Sequence, residues 1–102
     1  MSRPRYRWWG YVRAIIKNYP ATINKYINGT TLREHNAVKN AISDTKEMVD
    51  GKERMKLVEL VFFKSTHTLQ GASRMIPCSY ELAKRWQQDF IKLVAKKYGL
   101  MD

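Results

Sequence analysis

The sequence predicts an all-α protein, a small helical bundle, and three observations carry that prediction. Apolar residues recur at helical spacing, as in Trp8, Tyr11, Val12, Ile15, Ile16 and Tyr19. Residues that start or stop helices fall between such stretches: Pro20, Asn28-Gly29, Asp50-Gly51, Thr68, Pro77, Ser79 and Gly99. No stretch supplies a partner for a β-strand. At 102 residues the chain is one domain with room for a single modest core.

The spacing predicts a first helix over residues 5–19, ended by Pro20, with arginines and lysines opposite its apolar side. Gly10 weakens this helix slightly. Residues 20–30 read as a loose turn, so residues 1–30 form a basic aromatic helix with its linker, and residues 31–102 form the rest of the bundle. Thr30 or Thr31 can cap a second helix reaching about Val49, with Leu32, Ala37 or Val38, Ala41, Ile42 and Val49 facing inward and Met48 near its end. Asp50-Gly51 stops that helix, and Asp50 can cap the next.

A third helix is expected from Lys52 to about Phe63, carrying Met55, Val58, Leu60, Val61 and Phe62. The run from Leu57 to Phe63 also suits a buried strand by propensity, but it has no partner, which favours the helix. Ser65-Thr66-His67-Thr68 is a polar break in which Thr68 caps a short helix, Leu69 to Ile76, with Leu69, Ala72, Ser73 and Ile76 inward. Residues 77–79 form a turn. A long last helix follows from Tyr80 to Tyr98, capped by Ser79 and closed by Gly99.

Charge narrows the partners. The formal net charge is +10, and it is unevenly placed. Residues 1–26 hold Arg3, Arg5, Arg7, Arg13, Lys17 and Lys25 with no acid; residues 27–63 balance six bases against six acids. From Lys64 onward there are seven bases against Glu81, Asp89 and Asp102. Two basic segments flanking a neutral middle point to a polyanion, which charge alone leaves open between DNA, RNA and an acidic membrane surface. No apolar run is long enough to span a bilayer, and the N-terminus lacks the pattern of a signal peptide, so a cytoplasmic protein is expected. The single cysteine, Cys78, fits a reducing interior and reads as a small packed residue beneath the turn.

Other chemistry finds little footing. His35 and His67 have no companion at metal-ligand spacing, so neither a metal nor a cofactor is expected. Gly51-Lys52-Glu53 lacks the glycine spacing of a phosphate loop, and Asn28-Gly29-Thr30 reads as a turn rather than a glycosylation site. No catalytic constellation stands out, and an enzyme is not expected. Trp8 fits the apolar side of its helix. Trp9 fits it less well and suits self-association or nucleic acid, while Arg3, Arg5 and Arg7 suit either a phosphate-binding tail or a solvated terminus.

The last helix separates cleanly into two sides. At about 100° per residue, Ala83, Trp86, Phe90, Val94 and the stem of Lys97 share one face, while Glu81, Lys84, Arg85, Gln88 and Lys92 lie opposite. Any amphipathic helix has a polar outer side. Here a short helix precedes it by three residues, Gly71, Ala72 and Ser73 permit a close crossing, and the net charge supplies the electrostatic attraction that DNA binding needs.

Lys52-Glu53-Arg54, Val61-Phe62-Phe63, Thr68-Leu69-Gln70-Gly71-Ala72 and Cys78-Ser79-Tyr80-Glu81 together resemble the promoter-reading C-terminal domain of sigma factors. With Asn18-Tyr19-Pro20 closing a basic aromatic helix, and with Ala83-Lys84-Arg85-Trp86 and Phe90-Ile91, the chain more closely resembles phage late-gene activators of the RinA and ArpU type. Pro77 stands where that pattern commonly has glycine or a polar residue. The resemblance implies a phage or prophage transcription regulator with a sigma-like helix-turn-helix, located with the host nucleoid. Tyr80, Glu81, Lys84 and Gln88 would read bases; Thr68, Arg74, Ser79, Arg85 and Lys92 would hold phosphates. Its partners would be double-stranded DNA and RNA polymerase, with no membrane. The first helix would pack across the bundle or pair two copies, and the pairing rests on its apolar aromatic face at residues 8–19. Activation rather than repression follows from the resemblance alone. Two alternatives are the DNA-recognition part of a phage terminase small subunit, and a basic helical adaptor for protein or RNA.

Overall fold

The structure, a computed structural model, describes residues 7–23, 27–76 and 78–101. Arg3, Arg5, Lys25 and Pro77 lie outside the described residues. Those described form five α-helices and one π-helical turn: α1 (Trp9–Thr22), α2 (Gly29–Lys46), α3 (Gly51–Val58), the π turn (Glu59–Phe63), α4 (Leu69–Met75) and α5 (Tyr80–Tyr98). Among them there is no strand, so the predicted all-α bundle is the observed one, and the run from Leu57 to Phe63 is helical. No helix among the described residues is long and apolar enough to cross a membrane.

Helix α1 does not stop at Pro20 but carries it inside and ends at Thr22. A proline this close to the C-terminus removes one N–H from the ladder, and tertiary contacts offset that loss. Thr22 Oγ1 donates to the Tyr19 carbonyl at 2.8 Å and lies 2.8 Å from His35 Nδ1, while the Tyr19 ring stacks on His35 at 4.8 Å. His35 thus sits at the seam between α1 and α2.

Helix α2 begins at Gly29, before either threonine expected to cap it, and ends at Lys46 rather than near Val49. Ala37, Val38, Ala41 and Thr45 are buried, whereas Leu32 is exposed and Val49 is 82% exposed. Val49 lies past the helix end, beside Asp50, which takes a left-handed φ of 60° and gives no side-chain cap to α3. The following Gly51 is buried where the chain doubles back: a Cβ there would stand 2.5 Å from the Thr45 carbonyl oxygen and 2.6 Å from that of Lys46. The third helix, expected as one piece, changes pitch at Glu59. Its last turn closes with the Lys64 N–H on the Glu59 carbonyl at 2.7 Å, the five-residue step of a π-helix.

Two clusters make the core. The larger joins Val12, Ile15 and Ile16 of α1, Ala37, Val38 and Ala41 of α2, Val58 and Phe62, and Phe90, Ile91, Val94 and Ala95 of α5. Trp8 and Trp9 both pack against it and stay half-buried, and Tyr11 on the same side of α1 is exposed. The smaller cluster joins Leu57, Ala72, Ile76, Ala83 and Trp86. At the rim of the larger cluster, Tyr11 donates to the Glu34 carboxylate and its hydroxyl lies 3.1 Å from that of Tyr98. Arg33 covers the Tyr98 ring at 4.5 Å and donates to the Tyr98 carbonyl at 2.9 Å.

Two predictions follow from this packing. Gly51→Ala should destabilise the fold by about 1–3 kcal/mol through overpacking against backbone, whereas Gly10→Ala, whose added methyl meets open space beyond its own helix backbone, should stabilise α1 by about 0.5 kcal/mol. Urea titrations of the two variants read both signs. Separately, hydrogen bonding to Glu34, then to Tyr98, and then burial push the Tyr11 phenol well above its ordinary 10.0. A raised pKa contributes stability that is whole below the unfolded value and lost as pH rises beyond it. Stability should therefore fall above pH 10.0, and Tyr11→Phe should flatten that fall in alkaline unfolding curves. Burial raises the Tyr19 phenol too, so some slope should remain in the variant.

Candidate nucleic-acid interface

Local chemistry fixes both helix starts at the turn. Thr68, extended at φ −71° and ψ 166°, accepts the Gly71 N–H on its hydroxyl oxygen at 3.1 Å; Ser79, at φ −71° and ψ 154°, accepts that of Leu82 at 3.1 Å. Both are the caps expected from the sequence, and Ser79 sets the first residue of α5 at Tyr80. At the far end Gly99 takes φ 100°, and the N–H groups of Gly99 and Leu100 both reach the Ala95 carbonyl, at 3.0 and 2.8 Å.

Small residues let α4 lie close on α5. Ala72 and Ala83 are fully buried and Ser73 nearly so, while Gly71 sits at the cap instead of the crossing. Cys78 ties the turn back to α4: its N–H reaches the Ser73 carbonyl at 3.3 Å, and its thiol lies 3.8 Å from the same oxygen. Burial pushes that thiol upward, away from the reactive thiolate.

Helix α5 turns a stripe of long polar side chains to solvent. Glu81, Arg85 and Lys92 are exposed with Gln88 half-buried at the edge, and Tyr80 is exposed at the helix start. Thr68, Arg74 and Ser79 are exposed as well. Lys84 sits differently. Ile91 and Ala95 are fully buried, so the inward arc of α5 is wider than Ala83, Trp86, Phe90 and Val94 alone imply. Lys84 shares the direction of Ile91 and Ala95, about two and three turns earlier, and it is half-buried. Lys96 was not among the expected phosphate contacts, yet it is exposed four residues beyond Lys92 on the same stripe. The spacing that picked out Lys92 could have found it.

The ion pairs leave this stripe alone. Among the described residues Arg54 pairs with Asp89 at 3.4 Å, Lys64 with Glu59 at 3.0 Å and Lys97 with Asp44 at 2.6 Å. Arg54 also lies over the Trp86 ring at 5.7 Å, which pins Asp89 and Trp86 from one side. Among the described residues Arg74, Lys84, Arg85, Lys92 and Lys96 have no carboxylate partner. Glu81 is unpaired too; in the first turn of α5 it faces the positive end of the helix dipole, which favours a carboxylate by about 0.3–1 kcal/mol.

Among the described residues no group of three or more His, Cys, Asp or Glu could hold a metal ion, and His67 Nδ1 instead lies 2.8 Å from Thr66 Oγ1. Compared with known proteins, the chain matches no family model, no curated protein and no solved structure.

Removing either cap tests how the turn is held. Ser79→Ala and Thr68→Ala should each cost about 1 kcal/mol, which for a domain of this size lowers Tm by about 4–8 °C. Ser79→Asp should keep Tm near the parent value, as read by thermal unfolding.

Proposed function

We propose that this protein is a sequence-specific, double-stranded-DNA-binding transcription regulator of phage or prophage genes, with a sigma-like helix-turn-helix formed by α4 and α5. One observation carries the reading: a basic stripe free of ion pairs runs along the outer side of a helix whose capped N-terminus emerges from a tight turn after a short helix. A rod of this kind fits the major groove, with its first turns at base edges and later cations at phosphates. Tyr80, Glu81, Lys84 and Gln88 read bases in this proposal. Glu81 accepts from a cytosine amino group, and the half-buried stem of Lys84 narrows the directions its ammonium can take. Arg74, Arg85, Lys92 and Lys96 meet phosphates, and the exposed hydroxyls of Thr68 and Ser79 donate to phosphate while their oxygens hold the caps. RNA polymerase as a second partner, and activation as the outcome, rest on the resemblance to the RinA and ArpU type.

Selection of bound duplexes from a random pool at about 150 mM salt tests the proposal, because weak non-specific phosphate binding is largely suppressed there. A defined motif should emerge. Glu81→Ala should relax it at one position, losing about 1–3 kcal/mol of discrimination. Lys92→Ala should weaken all sequences alike and reduce the salt slope by about one. Binding without any motif, equal in Glu81→Ala, would remove base reading and leave the basic adaptor for protein or RNA.

A further inference from the structure

A second surface, sharing no residue with α4 or α5, has a different make-up. The end of α2, the outer side of α3 and the π turn enclose a groove of about 490 Å³, within the size range of ligand clefts. Lys46, Lys52, Lys56 and Lys64 rim it, Met55 and Leu60 form an apolar floor, and Glu59 is the one acid on its wall. Met55 and Leu60 are half-buried and the four lysines exposed. Lys64 is held by Glu59 at 3.0 Å, while Lys46, Lys52 and Lys56 have no acidic partner among the described residues.

The π turn builds the far wall. In an α-helix, residues five apart point about 140° away from each other. The five-residue ring from Glu59 to Lys64 brings residue 64 back beneath residue 59. Lys64 therefore closes the groove instead of pointing away from it, and the lysines of α3 at positions 52 and 56 stand a turn apart on the same side.

From this pattern we infer that the groove docks an acidic segment of a partner protein, one carrying a leucine- or phenylalanine-sized apolar anchor between its carboxylates. Charge complementarity sets the acidic character, because three unpartnered ammonium groups gather around one site. The floor sets the anchor: Met is an adaptable lining for an inserted apolar side chain. Phosphates of DNA would gain nothing from Met55 and Leu60, whereas an apolar anchor would. The inference stands apart from the DNA reading, since it involves other residues and its test contains a DNA-free arm.

The probe is a synthetic peptide of about a dozen residues, rich in Glu and Asp around two central leucines, titrated into the full chain at about 150 mM salt. Binding should weaken about tenfold in the Lys52→Glu/Lys56→Glu double variant, and by a similar factor when the two leucines of the peptide become serine. Backbone amide shifts should gather at residues 46–64. The serine peptide binding as well as the leucine peptide would overturn the inference, because it would reduce the groove to general attraction for polyanions. Shifts along α5 in place of residues 46–64 would overturn it as well. So would a duplex losing as much affinity as the peptide in the double variant, which would give the groove to DNA. The reversed lysines are exposed, and thermal unfolding of the double variant confirms that the fold persists; the serine peptide needs no change to the protein at all.

Discussion

Helix α5 has to close two hydrophobic clusters at once, and most of the architecture follows from that demand. Its first half puts Ala83 and Trp86 into the cluster with Leu57, Ala72 and Ile76; its second half puts Phe90, Ile91, Val94 and Ala95 against α1, α2 and Phe62. A rotation of the helix would unseat both clusters together, so its azimuth is fixed. The polar stripe is whatever those clusters leave over. Two latches reinforce the setting, Arg54 with Asp89 and Trp86 on one flank and Lys97 with Asp44 on the other. A surface suited to a groove thus owes its direction to residues that no groove could touch.

A net charge of +10 leaves open cationic surfaces, and the engagement of several acids within the fold adds to them. Glu34 is engaged by Tyr11, Asp44 by Lys97, Glu59 by Lys64 and Asp89 by Arg54. Glu34, Asp44 and Asp89 tie separate helices together and Glu59 holds the chain just after its own turn; Asp89 is an exposed residue of α5, but Arg54 occupies it.

Helix α5 and both its boundaries were readable in the sequence because strong local signals coincide there. Ser79 and Gly99 need only their own turns to act, and the apolar spacing between them is regular. Features decided by contact between distant segments were not readable. Pro20 marks a helix end by its own chemistry, and only the meeting of Thr22 and Tyr19 with His35 carries the helix past it. Val49 fits an inward position by periodicity, yet the helix has ended before it because Gly51 must slip against the carbonyls of Thr45 and Lys46. The π turn has no local sequence mark, and the groove it walls was missed with it. On the candidate surface, Glu81, Arg85 and Lys92 fell where spacing placed them. Lys84 did not, because a helix with more than one neighbour buries a wider arc than one apolar stripe suggests.

The unequal size of the two clusters has a consequence for how the molecule moves. Twelve buried residues secure the second half of α5, but five secure the turn and its short preceding helix. Seven residues are too few for α4 to remain helical on its own, so lifting off Ala83 and Trp86 amounts to melting. Such an opening exposes little surface compared with global unfolding and leaves the larger cluster closed. The amides of α4 therefore exchange with solvent through a local excursion, on a free-energy scale of their own. Evolution can retune the rigidity of this corner by resizing Leu57 or Ile76, without disturbing the seams among α1, α2 and the end of α5.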